Sequence, residues 1–481
     1  MTKQYDAVVV GAGPNGLAAA ITLALKGLKV FLVEEKEKIG GGVKSKELTL
    51  PGFTHDLCST VYPFAFGSPF FRSLPLSSWG LEWIQPPLPL AHPLERGECV
   101  YLARSPEETA ACLEEDEEAY LGLFRSLLKA WPRVDSFLLG PPSLPRHPFA
   151  LFRFACKALR SAEGLAAGTF QQEKAQALFA GLAAHSMLPL DRPMSAAFGL
   201  VLGVLGHLYG WPIAKGGAQS LAEALGAYFH SLGGEIQTGW KISSLKELPP
   251  AKAVLFDLTP GQVVQLAKEE PEAFPSRRLR SYRYGPGVFK MDWALEKPIP
   301  WIAEPCLQAA TVHVGGTLQE ISRAEKQVWQ GRVSDKPYLI VVQPSLFDAL
   351  RAPDGRQTAW AYCHVPNGST LDVTEAIEGQ IERFAPGFKK NILAKSSKNT
   401  AALQRCNANY VGGDIAGGSQ EARQLISRAL KWPNPYAICN SRFYLCSSST
   451  PPGAGVHGMC GFHAARACLT KVFGISCKKI P

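Results

Sequence analysis

The chain has 481 residues, of which 46% are hydrophobic and 19% are charged, and its formal net charge is +9. This length is more than one small core requires, so we expect two domains. The clearest basic cluster, Arg277–Arg280, is short, so the excess of positive charge does not indicate a nucleic-acid-binding protein.

The 12 cysteines are scattered, without C-x-x-C pairs or a cysteine and histidine cluster of metal-ligand spacing. Scattered thiols in a chain of this size predict a cytoplasmic setting and no metal site. The first apolar run begins a few residues after Met1, so we expect no signal or transit peptide ahead of it.

The first segment predicts a strand, a glycine turn and a helix. An apolar run at residues 6–10 is followed by Gly11, Gly13 and Gly16 and by an alanine-rich stretch. Gly11 allows a sharp turn, Gly13 lets the backbone approach a pyrophosphate, and Gly16 lets the helix pack close to the strand. The helix start offers free N–H groups and a positive dipole end to the phosphates. The segment therefore predicts a dinucleotide site.

A second apolar run, residues 30–33, ends in Glu34 and Glu35. Glu34 follows the glycine turn by about 20 residues, where a carboxylate can accept the ribose hydroxyls. An acid at this place also repels a 2′-phosphate, so NADP is disfavoured. The turn alone does not separate NAD from FAD.

The continuation after Glu35, with a glycine pair at Gly41 and Gly42, resembles flavoproteins of the phytoene desaturase and flavin amine oxidase superfamily. In that superfamily the pair passes beside the FAD pyrophosphate and ribityl chain. The alternative is an ordinary glycine loop after a strand. The resemblance implies that the N-terminal FAD-binding residues are Gly11, Gly13, Pro14, Asn15, Gly16, Glu34, Glu35, Gly41, Gly42 and Val43.

A second glycine pair opens a predicted helix at residues 216–225, and a Gly-Gly-Glu-Ile sequence follows at residues 233–236. Together they resemble the second FAD segment of phytoene desaturase-like proteins. We expect a strand containing Ile242 and Leu245 and a buried strand at residues 253–257. By the resemblance, the Ile242 backbone flanks the adenine.

The last motif, residues 443–459, precedes an alanine-rich helix at residues 461–470 and resembles the C-terminal FAD motif of the superfamily. Backbone N–H groups at such a helix start can stabilise negative charge at the flavin O2 and N1 positions. Ser447 departs from the family's usual glycine, and Cys446 leaves covalent attachment of FAD open. The implied FAD-binding residues are Ser448, Gly455, Val456, His457 and Met459.

Residues 288–293 predict an alternating strand after a Gly-Pro-Gly turn. It resembles the amine oxidase strand that carries a lysine facing flavin N5 through a water, and Lys290 occupies that place. The resemblance implies a catalytic role for Lys290. The alternative is an exposed lysine on a strand.

Over the whole chain the resemblance implies an α/β fold: a Rossmann-type, glutathione reductase-like FAD-binding domain and an α+β substrate domain. We expect the FAD-binding domain to be discontinuous, from residues 1–75, 214–285 and 425–481, and the substrate domain to comprise residues 76–213 and 286–424. A glycine-rich loop at residues 409–418 is similar to that of bacterial oxidoreductases of this group and of their eukaryotic pyridine nucleotide-disulfide oxidoreductase domain 2-like relatives.

Two apolar segments could line a substrate tunnel. Residues 194–213 contain no charged residue and have the length of a membrane span. Glycines interrupt them, so we expect a buried helix instead. Residues 62–71 are rich in phenylalanine and tyrosine.

Residues 146–160 predict a basic amphipathic helix, which can rest on an anionic membrane surface or pack as a lid on its own domain. The apolar face would carry Leu151, Phe152, Ala155 and Leu159, and the opposite face Arg146, Arg153, Lys157 and Arg160.

The first motif is not followed by the Cys-x-x-x-x-Cys pair of disulfide reductases, and no Gly-x-Gly-x-x-Gly motif for NAD(P)H appears outside the first and the last of the FAD-like segments. The resemblance therefore implies FAD-dependent desaturation of an apolar polyene, isoprenoid or lipid-like substrate, with hydride transfer to flavin N5. Two alternatives stay open: redox-neutral double-bond isomerisation on reduced FAD, and an FAD-binding protein that acts through a protein partner.

Overall fold

In the computed structural model, residues 3–269, 277–429, 434–438 and 442–476 are described, and they form two large sheets surrounded by helices. The strands are β1 (Tyr5–Val10), β2 (Val30–Val33), β3 (Ser45–Glu47), β4 (Thr54–Asp56), β5 (Trp83–Ile84), β6 (Leu88–Pro93), β7 (Cys99–Leu102), β8 (Ile213–Ala214), β9 (Glu235–Gln237), β10 (Ala251–Phe256), β11 (Gly287–Leu295), β12 (Ala309–Val314), β13 (Leu339–Val342), β14 (Gln357–Val365), β15 (Ile392–Lys398) and β16 (Phe443–Leu445).

The helices pack on both faces of each large sheet. They are α1 (Pro14–Ala24), α2 (Pro63–Gly67), α3 (Pro69–Arg72), α4 (Pro106–Ala111), α5 (Glu117–Leu138), α6 (Pro148–Ala158), α7 (Ala162–Ala167), α8 (Glu173–Ala184), α9 (Ser195–Tyr209), α10 (Gln219–Ser231), α11 (Pro260–Leu266), α12 (Arg277–Arg280), α13 (Leu318–Trp329), α14 (Thr374–Phe384), α15 (Thr400–Cys406), α16 (Ala422–Ala429) and α17 (Met459–Val472).

The first large sheet is parallel throughout, in the order β16-β10-β1-β2-β9. Its central strand β1 is almost continuously apolar, because helices cover both faces of such a sheet. Val9 pairs with Leu32 on one side and with Leu255 on the other. The α/β class expected from the sequence is confirmed.

The strands of this parallel sheet come from three separated stretches of the chain. The domain boundaries proposed above stay a prediction. Residues 430–433, 439–441 and 477–481 of the third expected stretch lie outside the described residues.

The second large sheet is mixed, in the order β15-β11-β14-β13-β12-β6-β7. Antiparallel pairing places Lys290 of β11 beside Tyr362 of β14, and Tyr362 beside Ile340 of β13. His313 of β12 follows next to Ile340. Because paired residues of adjacent strands point to the same face, the register alone aligns these four side chains in one row.

One strand expected from the sequence is wrong. Ile242 lies in irregular backbone, and Leu245 begins a 3-10 turn, Leu245–Glu247. The Ser244 side chain accepts a hydrogen bond from the Lys246 N–H and so caps this turn. Serine in this role favours a turn over a continuing strand.

The uncharged segment at residues 194–213 forms the buried helix α9, as expected. In the described part of the chain, no helix is long and apolar enough to cross a membrane. Two glycines of α9 allow neighbours to approach closely: a Cβ on Gly203 would collide with the Phe124 ring, and one on Gly206 with Leu102.

Helix α6 forms within the expected basic segment, but its packing face differs from the expected one. Phe154 and Ala158 are buried, whereas Phe152 and Leu159 are 68% and 57% exposed. The expected apolar face was therefore wrong. Phe154 and Ala158 are four residues apart and lie on one side of the helix, and this side packs against α5 and α9.

The crossing of α1 and α17 depends on glycine. A Cβ on Gly461 would collide with the Asn15 carbonyl oxygen, and one on Gly16 would collide with the Gly11 carbonyl oxygen. The two helices and the glycine turn are thus in backbone contact.

We expect the substitution Gly461→Ala to destabilise the protein by about 1–3 kcal/mol, because the added methyl group must displace backbone. The matched control is Gly379→Ala on the exposed side of α14, where an added Cβ meets nothing within 4 Å. That change should be neutral or stabilise by up to about 1 kcal/mol. Thermal unfolding of both variants checks this, and equal melting temperatures would contradict the close crossing.

Candidate functional site

A cavity of about 1450 Å³ opens at the carboxyl ends of the parallel strands and continues over one face of the mixed sheet. Gly11, Glu34 and Asp257 stand at its edge, directly after β1, β2 and β10. Ligands of open parallel sheets bind at this edge. The volume exceeds the roughly 300–1,000 Å³ of common small-molecule pockets, so it can accommodate more than one ligand.

The floor of the cleft is backbone. A Cβ on Gly13 would lie 2.6 Å from Asp257 Oδ2, and one on Gly41 would lie 2.9 Å from the Gly13 Cα. Helix α1 begins at Pro14 without a side-chain cap. The positive end of the helix and the exposed backbone at Gly13 and Gly41 suit a pyrophosphate, the fit that the glycine spacing predicted.

Contacts with the protein hold the Glu34 carboxylate in place. Its Oε2 accepts the Ala12 N–H at 2.9 Å, and its Oε1 accepts the Lys36 N–H at 3.1 Å. The Lys44 ammonium lies 3.7 Å from Oε1. Burial lowers the pKa of Lys44, and the Glu34 carboxylate partly opposes this. Each oxygen of Glu34 retains a lone pair that can accept a ribose hydroxyl.

Most of the cofactor-binding residues expected from the sequence come together around this cavity. The residues among them that line it are Gly11, Gly13, Pro14, Asn15, Glu34, Glu35, Gly41, Gly42, Ile242, Ser448, Gly455 and Val456. Their roles stay predictions, but the three distant sequence motifs meet at one place.

Four of the expected cofactor-binding residues lie behind this surface. Gly16 and Val43 are packed in the protein. His457 is buried: its carbonyl oxygen accepts the Ser68 hydroxyl, and its Nδ1 accepts the Met459 N–H at 3.0 Å. The contacts of His457 with Ser68 and Met459 shape the loop that carries Gly455 and Val456.

Asp257 is a site residue that the sequence analysis placed only at a strand end. Its Oδ2 accepts the Gly16 N–H at 2.9 Å, so it holds the start of α1. Burial raises its pKa to about 7, and the charge of Glu34 adds to that effect while the Gly16 hydrogen bond opposes it. Asp257 lies more than 200 residues from the glycine motif, so no local sequence pattern connects the two.

Lys290 is buried beside the cavity and does not line it. Its ammonium pairs with Asp292, and Asp292 also accepts from Lys398 at 3.2 Å. His55 Nδ1 lies 3.8 Å from Asp292, and the Lys290 Nζ lies 5.1 Å from the Trp360 ring centre. Burial lowers the pKa of Lys290, although Asp292 opposes this. The alternative of an exposed lysine is wrong.

Beyond the cleft the cavity is mainly apolar. Its walls come from both segments that the sequence suggested for a tunnel, residues 62–71 and 194–213, and from the mixed sheet. The apolar and aromatic lining residues are Val61, Phe64, Met187, Phe198, Leu202, Trp211, Ile340, Val342, Trp360 and Tyr362.

Known proteins resemble this chain along nearly its whole length. A family model described as NAD(P)-binding Rossmann-like domain matches residues 9–73. The chain is 26% identical to pyridine nucleotide-disulfide oxidoreductase domain-containing protein 2 of Mus musculus, with 97% of this chain and 93% of that protein covered. It is 24% identical to the neurosporene-forming phytoene desaturase of Rhodobacter capsulatus, with 95% and 92% covered.

Among solved structures, cyclohexylamine oxidase from Brevibacterium oxydans matches with a TM-score of 0.60 and 13% identity, over 98% of this chain and 99% of that chain. A match at this identity is evidence of a shared fold. It confirms the fold class that the sequence motifs implied.

The raised pKa of Asp257 predicts a pH-dependent stability. Between about pH 4 and pH 7 the folded protein keeps a proton on Asp257 that the unfolded chain has lost. The free energy of unfolding therefore falls as the pH rises through this window. Above about pH 7, Asp257 adds no further pH dependence. The loss is at most about 4 kcal/mol, from 1.36 kcal/mol per pKa unit.

Asp257→Asn keeps an oxygen that can accept the Gly16 N–H and removes the titration. We expect this variant to gain stability over the wild type at pH 8 and to lose that advantage towards pH 4. Thermal unfolding across this range measures it, with the exposed Asp335→Asn as control. Parallel pH profiles of wild type and Asp257→Asn would contradict the assignment.

Proposed function

We propose that this FAD-dependent oxidoreductase of the phytoene desaturase and flavin amine oxidase superfamily desaturates an apolar polyene, isoprenoid or lipid-like substrate. The observation that carries the proposal is the continuity of one cavity, from a dinucleotide cradle into an apolar chamber lined by aromatic side chains. Such a chamber holds a hydrocarbon chain against a flavin and keeps water out.

The residues around the cleft fit FAD. Gly13 and Gly41 would admit the pyrophosphate, Glu34 would accept the ribose hydroxyls, and Gly455 and Val456 would border the flavin. The bound FAD supplies the hydride acceptor, and the protein supplies position and electrostatics.

The apolar chamber favours a hydrocarbon over an amine as substrate. The similarity in fold to an amine oxidase does not decide this point. A buried cationic amine needs a counter-charge such as a carboxylate. The chamber residues Phe64, Phe198, Leu202 and Ile340 carry no charge and provide apolar contact instead.

Mass spectrometry of the product distinguishes the two kinds of chemistry. Anaerobic incubation of the FAD-loaded protein with a panel of polyenes and isoprenoids should bleach the flavin and yield a product lighter by two hydrogens. A product of unchanged mass, formed only after prior reduction of the flavin, would identify isomerisation and overturn desaturation. An absence of turnover together with retention of a partner protein would support a binding role.

In this proposal Lys290 orders a water or the substrate bond near the flavin. Lys290→Met keeps most of the side-chain volume, and Asp292 keeps its ion pair with Lys398. We expect FAD to stay bound while flavin reduction or reoxidation slows by about 10²–10⁴, the range for a positioned proton-handling group. Stopped-flow absorbance measures both rates. The exposed Lys26→Met is the control, and unchanged rates in Lys290→Met would remove the catalytic role.

We also propose that α6 contacts an anionic membrane surface. Phe149 and Phe152 are 85% and 68% exposed, and Leu144 is 88% exposed. Exposed Arg146 and Arg153 accompany them. Apolar side chains beside arginines suit the boundary between acyl chains and anionic headgroups. Helix α6 packs against α9, whose Phe198 and Leu202 line the cavity, so the contact would lie close to the chamber.

Vesicle co-sedimentation tests this membrane contact. The wild type should bind vesicles that contain phosphatidylserine and bind pure phosphatidylcholine vesicles less. Phe149→Ser with Phe152→Ser should weaken binding at least about tenfold, since each buried phenylalanine contributes about 1.5–3 kcal/mol. The control is Leu350→Ser with Leu371→Ser, which changes two other exposed apolar residues. Equal binding by both double variants would overturn the proposal.

A further inference from the structure

The cavity has two chemically different ends along the mixed sheet. At one end the Trp360 indole N–H donates to the Thr60 hydroxyl at 2.8 Å, next to the glycine cleft. The sheet wall then crosses β13 and reaches Thr311 on β12. Two strand spacings separate β14 from β12, a distance of about 10 Å. The far end, lined by His185, Trp211 and Thr311, is here called the histidine end.

One ring nitrogen of His185 is paired with another histidine, and the other ring nitrogen is available to a ligand. It directly follows α8, and its Nε2 lies 2.8 Å from the Nε2 of the buried His313. The ring also packs edge-on against Trp211, with the ring centres 6.0 Å apart. Within the described part of the chain, His185 Nδ1 has no hydrogen-bond partner, while the residue lines the cavity.

The histidine end is polar but uncharged. Burial lowers the pKa of His185 to about 3, the nearby His364 adds to this, and burial holds the pKa of His313 well below its usual value. Both rings are therefore neutral at neutral pH. Depending on the tautomer of the pair, His185 Nδ1 offers either a lone pair or an N–H group. A hydroxyl group can pair with either form of Nδ1, because it both donates and accepts a hydrogen bond. A carbonyl oxygen can pair only with the N–H form.

We infer that the histidine end binds a neutral oxygen group, a hydroxyl or a carbonyl, at one terminus of an otherwise apolar substrate. This inference rests on the proposed function, since it assumes that the chamber holds the substrate. The hydrogen bond between the terminal oxygen and His185 would fix how far the substrate extends towards the cleft. It would thereby determine which bond of the substrate lies at the flavin. A carboxylate or an ammonium group would find no counter-charge among the residues that line this end.

The inference can be tested with ligands that share one carbon skeleton. Isothermal titration calorimetry of the FAD-loaded protein compares farnesol, farnesal, farnesoic acid and farnesene. We expect the alcohol and the aldehyde to bind about three- to tenfold more tightly than the hydrocarbon, the contribution of one neutral hydrogen bond. The acid should bind more weakly than the alcohol.

Variants of His185 assign the preference to this residue. His185→Leu should bind farnesol and farnesene equally, and His185→Gln should restore part of the preference for farnesol. His230→Leu, an exposed histidine on α10, serves as control and should behave as wild type. The comparison of ligands on the wild type remains informative even where a variant fails to fold.

The outcomes separate the two claims. Tight binding of all four ligands without preference, tightest binding of the acid, or an unchanged preference in His185→Leu would overturn the inference and leave the apolar chamber in place. Failure of every ligand to bind the FAD-loaded protein would overturn the proposed apolar substrate, and the inference with it.

Discussion

The fold depends on backbone-to-backbone contact at one crossing. The glycine turn after β1, the start of α1 and the helix α17 approach so closely that side chains on Gly16 or Gly461 would collide with carbonyl oxygens. Asp257 directly follows β10, the neighbour of β1, and its carboxylate accepts the Gly16 N–H. Helices α1 and α17, from opposite ends of the chain, therefore meet without intervening side chains. Their contact holds the glycine turn at the edge of the sheet where the cleft opens.

A buried polar cluster joins the cleft to the mixed sheet. Asp56 accepts the Ala218 N–H at 2.8 Å and the Thr60 hydroxyl at 2.7 Å, and it pairs with Arg351 at 3.1 Å. Burial alone would raise the pKa of Asp56, but the Arg351 charge and the hydrogen bonds outweigh it and lower the pKa. Thr60 in turn accepts the Trp360 indole N–H. Removing Arg351 would leave the buried Asp56 charge without its ion-pair partner. The hydrogen bonds from Asp56 through Thr60 to Trp360 link the chamber wall to the cradle.

The sequence predicted those parts of the site that local chemistry determines. Glycine spacing and the acid after β2 identified the cradle, because turn geometry and helix dipoles act within a few residues. Asp257, the Lys290–Asp292–Lys398 group and the His185–His313 pair arise from strand register and helix packing, which no single segment encodes. The packing face of α6 was wrong for the same reason: periodicity placed Phe152 on the apolar face, whereas contact with α5 and α9 buries Phe154.

In the proposed function, this cleft holds FAD and the apolar chamber presents a substrate to it. The most direct measurement is the identity and amount of nucleotide released from the purified protein by heat or acid, together with reconstitution of the apoprotein. The structure predicts a yellow protein that releases one FAD per chain and rebinds it. A colourless protein that does not take up FAD, or one that binds NADP in the same cleft, would contradict the claim.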